Sequence, residues 1–209
     1  MIRNILTRAF SSKRVLITGA KGQVGRNLIP CLLKDVPPQN ILATDLTSQE
    51  EIGSMFRGVP YRQLDATNPD QYQEISDQFQ PNIIVNMASI LSANGERNPK
   101  RTWDINTAAL FNSISVSLKQ EAILLHASTI AVFGGEKLMR DGTPDNHEKT
   151  PDTMYGCTKV ASEVVGNYYR SKHGLDYRSL RYPAIISSEK FEAGGSLSYP
   201  QELFYGVNF

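Results

Sequence analysis

The chain has 209 residues, 40% of them hydrophobic and 21% charged, with a formal net charge of +1. That is a globular composition of single-domain length, which excludes wholesale disorder and, with its basic residues scattered, a nucleic-acid footprint. Apolar runs such as Ile83-Ile84-Val85 fall far short of the ~20 residues a membrane helix needs, and Cys31 and Cys157 have neither metal-ligand spacing nor disulfide density. No membrane, nucleic-acid or metal partner is expected.

The first segment departs from this average. Arg3, Arg8, Lys13 and Arg14 are the only charges before Val15, and the first acid is Asp35. Ile2, Ile5, Leu6, Ala9 and Phe10 fall at helical spacing with the arginines off that stripe. An acid-free, arginine-bearing amphipathic leader reads as a mitochondrial transit segment over residues 1–12. The expected destination is the matrix, with the cytoplasm as the alternative, and the folded domain is then 13–209.

Strands and helices alternate from there. Arg14 to Thr18 reads as a strand, Gln23 to Lys34 as a helix stopped by Val36-Pro37-Pro38, and Asn40 to Thr44 as a second strand. Tyr61 to Leu64 is a third strand, Pro69 to Phe79 a helix, and Asn82 to Met87 a fourth strand. A long helix spans Pro99 to Lys119, on which Trp103, Ile105, Ala109, Phe111 and Ile114 read as packing positions. Ala122 to Ala127 is the fifth strand, Thr153 to Lys172 a helix, and Tyr177 to Arg181 the sixth strand; Gly134 to Pro151 is a loop. This alternation predicts an α/β fold, a doubly wound parallel sheet.

Gly19-x-x-Gly22-Gln23-Val24-Gly25 follows the first strand and opens the first helix. Such a turn lets backbone amides at a helix N-terminus approach a pyrophosphate. Asp45 ends the second strand about twenty residues later, where an acid bonds the ribose hydroxyls of NAD and repels the extra phosphate of NADP. Leu46 follows, with no arginine to receive that phosphate. Asp65-Ala66, after the third strand, either meets the adenine or starts the Thr67-Asn68-Pro69 turn and caps the next helix. Asn86-Met87-Ala88-Ser89 ends the fourth strand, where small residues such as Ala88 leave room for the cofactor.

Tyr155-x-x-x-Lys159 puts a phenol and an ammonium on adjacent turns of one helix face. A nearby cation favours phenolate, which suits proton abstraction. Tyr168 and Lys172 repeat the spacing but lie more than three turns from the helix start, so Tyr168 reads as packing or surface. Ser128 and Thr129 follow the fifth strand with hydroxyls expected beside the Tyr155 phenol.

Together, Gly19/Gly22/Gly25, Asp45, Ser128/Thr129 and Tyr155/Lys159 resemble the extended short-chain dehydrogenase/reductase superfamily, whose fold is Rossmann-like. Four longer stretches resemble the short-chain type L-threonine 3-dehydrogenases: Ile90 to Glu96, Ser128 to Gly134, Thr153 to Lys159 and Arg178 to Ser187. The resemblance covers about Lys13 to Tyr205. It implies NAD-dependent oxidation of L-threonine to 2-amino-3-ketobutyrate, with Tyr155 as base, Lys159 lowering its pKa, and Ser128 or Thr129 on the reacting oxygen. It further implies that Ser92 and Ser196 contact the amino acid and that Tyr182 and Ile185 orient the nicotinamide. A homodimer formed through a four-helix contact of Pro99–Lys119 and Thr153–Lys172 is also implied.

Members of that family continue past Phe204-Tyr205 with a lobe that covers the substrate. Two readings follow: an active dehydrogenase represented by part of its chain, or a truncated, non-catalytic protein that binds NAD or only a partner subunit. An NAD-dependent sugar-nucleotide epimerase is the further alternative. That family shares the Tyr/Lys pair but not the Leu91-Ser92-Ala93 and Ser128-to-Gly134 context.

Overall fold

The computed structural model describes residues 12–56, 58–134 and 142–185. Most of the transit segment proposed for residues 1–12, and Ser196, lie outside the described residues. In chain order the elements are β1 (Val15–Thr18), α1 (Gln23–Leu32), β2 (Ile41–Asp45), α2 (Gln49–Ile52), β3 (Tyr61–Gln63), α3 (Pro69–Phe79) and β4 (Ile83–Asn86). They continue with α4 (Ser92–Gly95), α5 (Pro99–Lys119), β5 (Ile123–Thr129), α6 (Met154–His173) and β6 (Tyr177–Tyr182).

The strands form one six-stranded parallel sheet in the order β3-β2-β1-β4-β5-β6, the order of a Rossmann-like doubly wound fold. The chain reverses direction across the sheet between β1 and β4, where Thr18 stands opposite Thr44 on one side and Asn86 on the other. All four residues of β1 are buried. Strands covered on both faces read as unbroken apolar runs, which is how β1 and β4 are written.

The long helices begin where the sequence says they should. Asn68 accepts the Gln71 amide at 3.0 Å and Asn98 accepts the Arg101 amide at 3.1 Å. Pro69 and Pro99, at the first helical positions, lose no intrahelical bond there. The first helix, expected to reach Lys34, ends at Leu32 instead. The amides of Asp35 and Val36 both turn back onto the Leu32 carbonyl, which carries Val36 into the core. β5 runs two residues beyond Ala127 to Thr129, and α2 and α4 were not foreseen. Trp103 and Phe111 depart from the packing role read for them. Ala109 and Ile114 are buried, but Trp103 is 40% and Phe111 46% exposed.

The described chain divides into two compact units: residues through Ala88 with Ala108–His126 and Gly166–Arg178, and Ser89–Thr107 with Ala127–Val165 and the residues from Ser179. The first holds the apolar core around Leu16, Ile17, Ile29, Ile41, Ile84 and Leu124, and a buried bond between the Tyr72 and Ser113 hydroxyls at 3.2 Å. Within it, Gly166 on α6 meets the ring of Tyr177 so closely that a Cβ there would stand 2.2 Å from the ring.

Gly166→Ala is therefore expected to cost roughly 1–3 kcal/mol through overpacking. Denaturant unfolding checks this, and an unchanged midpoint would show that the ring gives way freely.

Candidate functional site

The first unit builds a glycine-lined helix N-terminus. After β1 the chain turns at Gly19, whose φ is +67° and whose Cβ would lie 2.8 Å from the Ala88 amide nitrogen. Only glycine combines that conformation with that approach. Gly22 caps α1 without a side-chain hydrogen bond, and no acid occupies the first turn. A Cβ on Gly25 would stand 2.4 Å from the Ala20 carbonyl oxygen, so this residue sets the close packing of α1 on the loop. Gln23, Val24 and Gly25 thus open a helix that has no side-chain bond at its N-cap and no acid in its first turn.

Asp45 stands at the end of β2. One carboxylate oxygen accepts the Lys21 amide at 3.0 Å, and the other faces the Thr47 amide and hydroxyl at 3.4 and 3.3 Å. These bonds hold the carboxylate against the glycine loop, and Leu46 beside it is 66% exposed. Asp65 makes the turn that was one of its two readings: Oδ1 accepts the Thr67 amide at 2.9 Å and hydroxyl at 2.7 Å. The capping of α3 falls to Asn68 instead. Ala66 is buried.

A buried polar chain links the ends of β1 and β4 to the middle of β5. The Thr18 hydroxyl donates to Asn86 Oδ1 at 3.0 Å and accepts the Ala88 amide at 3.3 Å. Asn86 Nδ2 lies 3.4 Å from His126 Nδ1. Ala88 is in this way tied to the strand that leads into Gly19.

The second unit gathers Thr129, Tyr155 and Lys159. Tyr155 lies in the first turn of α6 and shares a side-chain hydrogen bond with Thr129. The Lys159 ammonium sits 5.5 Å from the centroid of the Tyr155 ring. Lys159 is only 3% exposed, and among the described residues its ammonium makes no hydrogen bond or ion pair. Burial without a counter-charge pulls it down to about 7. Burial also pushes the Tyr155 phenol above its usual range, with the Thr129 bond pulling the other way. The expectation that Lys159 holds the tyrosine low is corrected for the free chain. The lysine, itself desolvated, has lost much of the charge that would do so.

Ser128, expected beside the phenol, is not there. Its buried hydroxyl donates to Glu163 at 2.6 Å. Ser92 opens α4, half-buried; Tyr182 ends β6, half-buried; Ile185 is 38% exposed. Tyr168 is 53% exposed and meets Tyr169 and His173 edge-on.

Several supporting residues went unread in the sequence. Asn106 accepts the Ile90 amide at 2.8 Å and donates to the Thr158 hydroxyl at 3.1 Å, and Glu96 accepts the Met154 amide at 2.7 Å. Glu163 is gripped by Arg181 at 2.8 and 2.9 Å. Burial pushes the Glu163 carboxyl up, but the bonds from Arg181 and Ser128 and the charges of Arg181 and Lys149 outweigh it and hold the group low. Among the described residues no cluster of three or more His, Cys, Asp or Glu could hold a metal, and no helix is long and apolar enough to cross a membrane.

A glycine-lined helix N-terminus with an acid after the second strand, on the chain that carries a hydroxyl–phenol–ammonium set, defines a dinucleotide-dependent enzyme class. The profile of the NAD dependent epimerase/dehydratase family matches residues 15–198, and the chain belongs to that family. Its cofactor is NAD, which the glycine-lined start of α1 and Asp45 fit. An uncharacterized epimerase/dehydratase of Staphylococcus haemolyticus is 37% identical, with 92% of this chain and 60% of that protein covered. The chain thus spans about 60% of the length of the curated relative. The L-threonine dehydrogenase of Phytophthora infestans is 37% identical with a TM-score of 0.84, and that of Clostridium difficile 33% with 0.85; each match covers 92% of this chain and 60% of the other.

The buried lysine makes a stability prediction. Unfolded, it holds its proton to about 10.5; folded, it sheds it near 7. Across that window the unfolded state binds more protons, so Lys159 makes stability rise with pH, and below 7 its full penalty is felt. Lys159→Met should raise Tm at pH 6 by at least roughly 3 °C and flatten the rise between pH 7 and 10. Thermal unfolding followed by circular dichroism reads both; a variant less stable than the parent at pH 6 would contradict the burial account.

Proposed function

We propose that this chain is the nucleotide-binding part of an enzyme that oxidises L-threonine to 2-amino-3-ketobutyrate with NAD. The observation that carries the reading is the Tyr155 phenol at the start of α6, bonded to the Thr129 hydroxyl at the end of β5 and with the Lys159 ammonium 5.5 Å from its ring centroid. The choice of threonine rests on the likeness to the two solved L-threonine dehydrogenases and on the Leu91-Ser92-Ala93 and Ser128-to-Gly134 stretches.

When bound, NAD supplies the hydride acceptor. Gly19, Gly22, Gln23, Val24 and Gly25 hold its pyrophosphate, Asp45 and Leu46 its adenosine ribose, and Asp65, Ala66 and Ala88 the adjoining surface. Tyr182 and Ile185 orient the nicotinamide. Tyr155, as phenolate, takes the proton of the threonine hydroxyl, and Thr129 holds the same oxygen. Lys159, when protonated, lowers the energy of that phenolate and donates to the nicotinamide ribose. Ser92 and Ser196 hold the amino acid. Ser128 acts from behind, through Glu163.

Tyr155→Phe is expected to abolish threonine-dependent NADH formation while NAD binding, measured by calorimetry, survives. Equal activity in the variant would remove the mechanism. Asp45→Ala should weaken NAD more than NADP, because the carboxylate that bonds the ribose also repels a 2′-phosphate; an unchanged preference would refute that role.

The proposed assembly is a homodimer through α5 and α6, supported by Phe111 and Val164, which are 46% and 62% exposed. Phe111→Glu with Val164→Glu should give a monomer by light scattering; an unchanged mass would place the contact elsewhere. The proposed destination is the mitochondrial matrix, carried by the leader of residues 1–12, and import of a reporter fused to that leader tests it.

A further inference from the structure

We propose that Arg181 is a positioning residue for the reactive lysine: by gripping the Glu163 carboxylate with two prongs, it keeps that carboxylate from pairing with Lys159. Lys159 and Glu163 stand four residues apart on α6, the spacing at which opposite charges on one helix face meet. Here they do not pair. The Lys159 ammonium lies by the Tyr155 ring, while Glu163 is occupied elsewhere. Glu163 Oε1 accepts the Ser128 hydroxyl at 2.6 Å and Arg181 Nε at 2.8 Å; Oε2 accepts Arg181 Nη2 at 2.9 Å and faces Lys149 Nζ at 3.9 Å.

The guanidinium is itself held in place. Arg181 Nη1 donates to the Asp145 carbonyl at 2.8 Å, and Cζ lies 4.9 Å from the centroid of the Phe133 ring. The fork geometry of arginine suits this grip, and a lysine at the position would offer a single point charge. Tyr155 is the titratable group the structure places on Lys159, while Arg181 from β6 and Lys149 from the 142–150 segment face Glu163, and Asp145 faces Arg181. β5 brings the Ser128 hydroxyl to Glu163 and the Thr129 hydroxyl to Tyr155. Glu163 is the one acid among these within a helical turn of Lys159, and two cations already face it.

Without Arg181, the Glu163 carboxylate is left with Lys149 at 3.9 Å and, one turn back on the same helix, the Lys159 ammonium. Pairing would restore the lysine's affinity for its proton and draw it off the Tyr155 ring. The inference concerns the lysine alone and holds whatever the substrate.

The test follows the Lys159 side chain by NMR in the purified chain labelled at lysine Cε, the signal being assigned by its loss in Lys159→Arg. Arg181→Met should move the titration midpoint upward by about one pH unit or more. Arg181→Met with Glu163→Gln should return it to the parent value, and Glu163→Gln alone should leave it nearly unmoved, because the carboxylate is already spent. An unmoved midpoint in Arg181→Met overturns the proposal. So does a fall in Glu163→Gln that mirrors the rise in Arg181→Met, which would mean two fixed charges acting independently. If circular dichroism shows that Arg181→Met does not fold, Arg181→Lys decides. A smaller rise, cancelled by Glu163→Gln, supports the grip, and no rise overturns it.

Discussion

The second unit is organised around a lysine whose buried ammonium meets no anion among the described residues. Proteins ordinarily pair a buried charge, because desolvation costs several kcal/mol that only a good partner returns. Lys159 has an aromatic ring and a nearby hydroxyl bond instead, and it responds by giving up its proton readily. A lysine satisfied by a carboxylate would be more stable and would have nothing left to offer a ligand. The neighbouring contacts follow from keeping it unsatisfied. Glu163 is bonded away, Asn106 locks Thr158 in the turn between Tyr155 and Glu163, and Glu96 holds the first amide of the helix.

The first unit shows the same economy with opposite sign. Its characteristic feature is a helix start without a side-chain bond at the N-cap, and its glycines let the backbone approach closely there. The Thr18–Asn86–His126 chain links β1, β4 and β5 beside that opening, and the turn itself is closed by the Gly22 amide on the Gly19 carbonyl at 3.1 Å and the Ala20 amide on the Thr44 carbonyl at 3.0 Å. In both units, backbone amides beside the candidate site are tied down by neighbouring side chains, Ala88 by Thr18 and Met154 by Glu96.

How much of this was legible depended on whether the signal was local. α3 and α5 could be read to the residue because Asn68-Pro69 and Asn98-Pro99 write the cap and the first turn into adjacent positions. The glycine turn, Asp45 and the Tyr155/Lys159 spacing were visible for the same reason. α2 and α4 are single turns, too short for a periodic pattern. Ser128 and Thr129 were indistinguishable because a strand end gives no hint of which hydroxyl meets which part of α6. The Glu163–Arg181 pair spans eighteen positions and has no motif. Trp103 and Phe111 show the converse failure: an apolar residue on a helix reads as core until exposure says otherwise.

The account therefore stands on the ionisation of one side chain in the unaltered protein. A direct pH titration of Lys159 Cε in the parent chain, free of nucleotide, is the measurement that tests it. The account predicts a midpoint near 7. A midpoint near the ordinary lysine value of about 10.5 would show that the ammonium is solvated or paired, and would contradict the claim that the site is built around an unsatisfied cation.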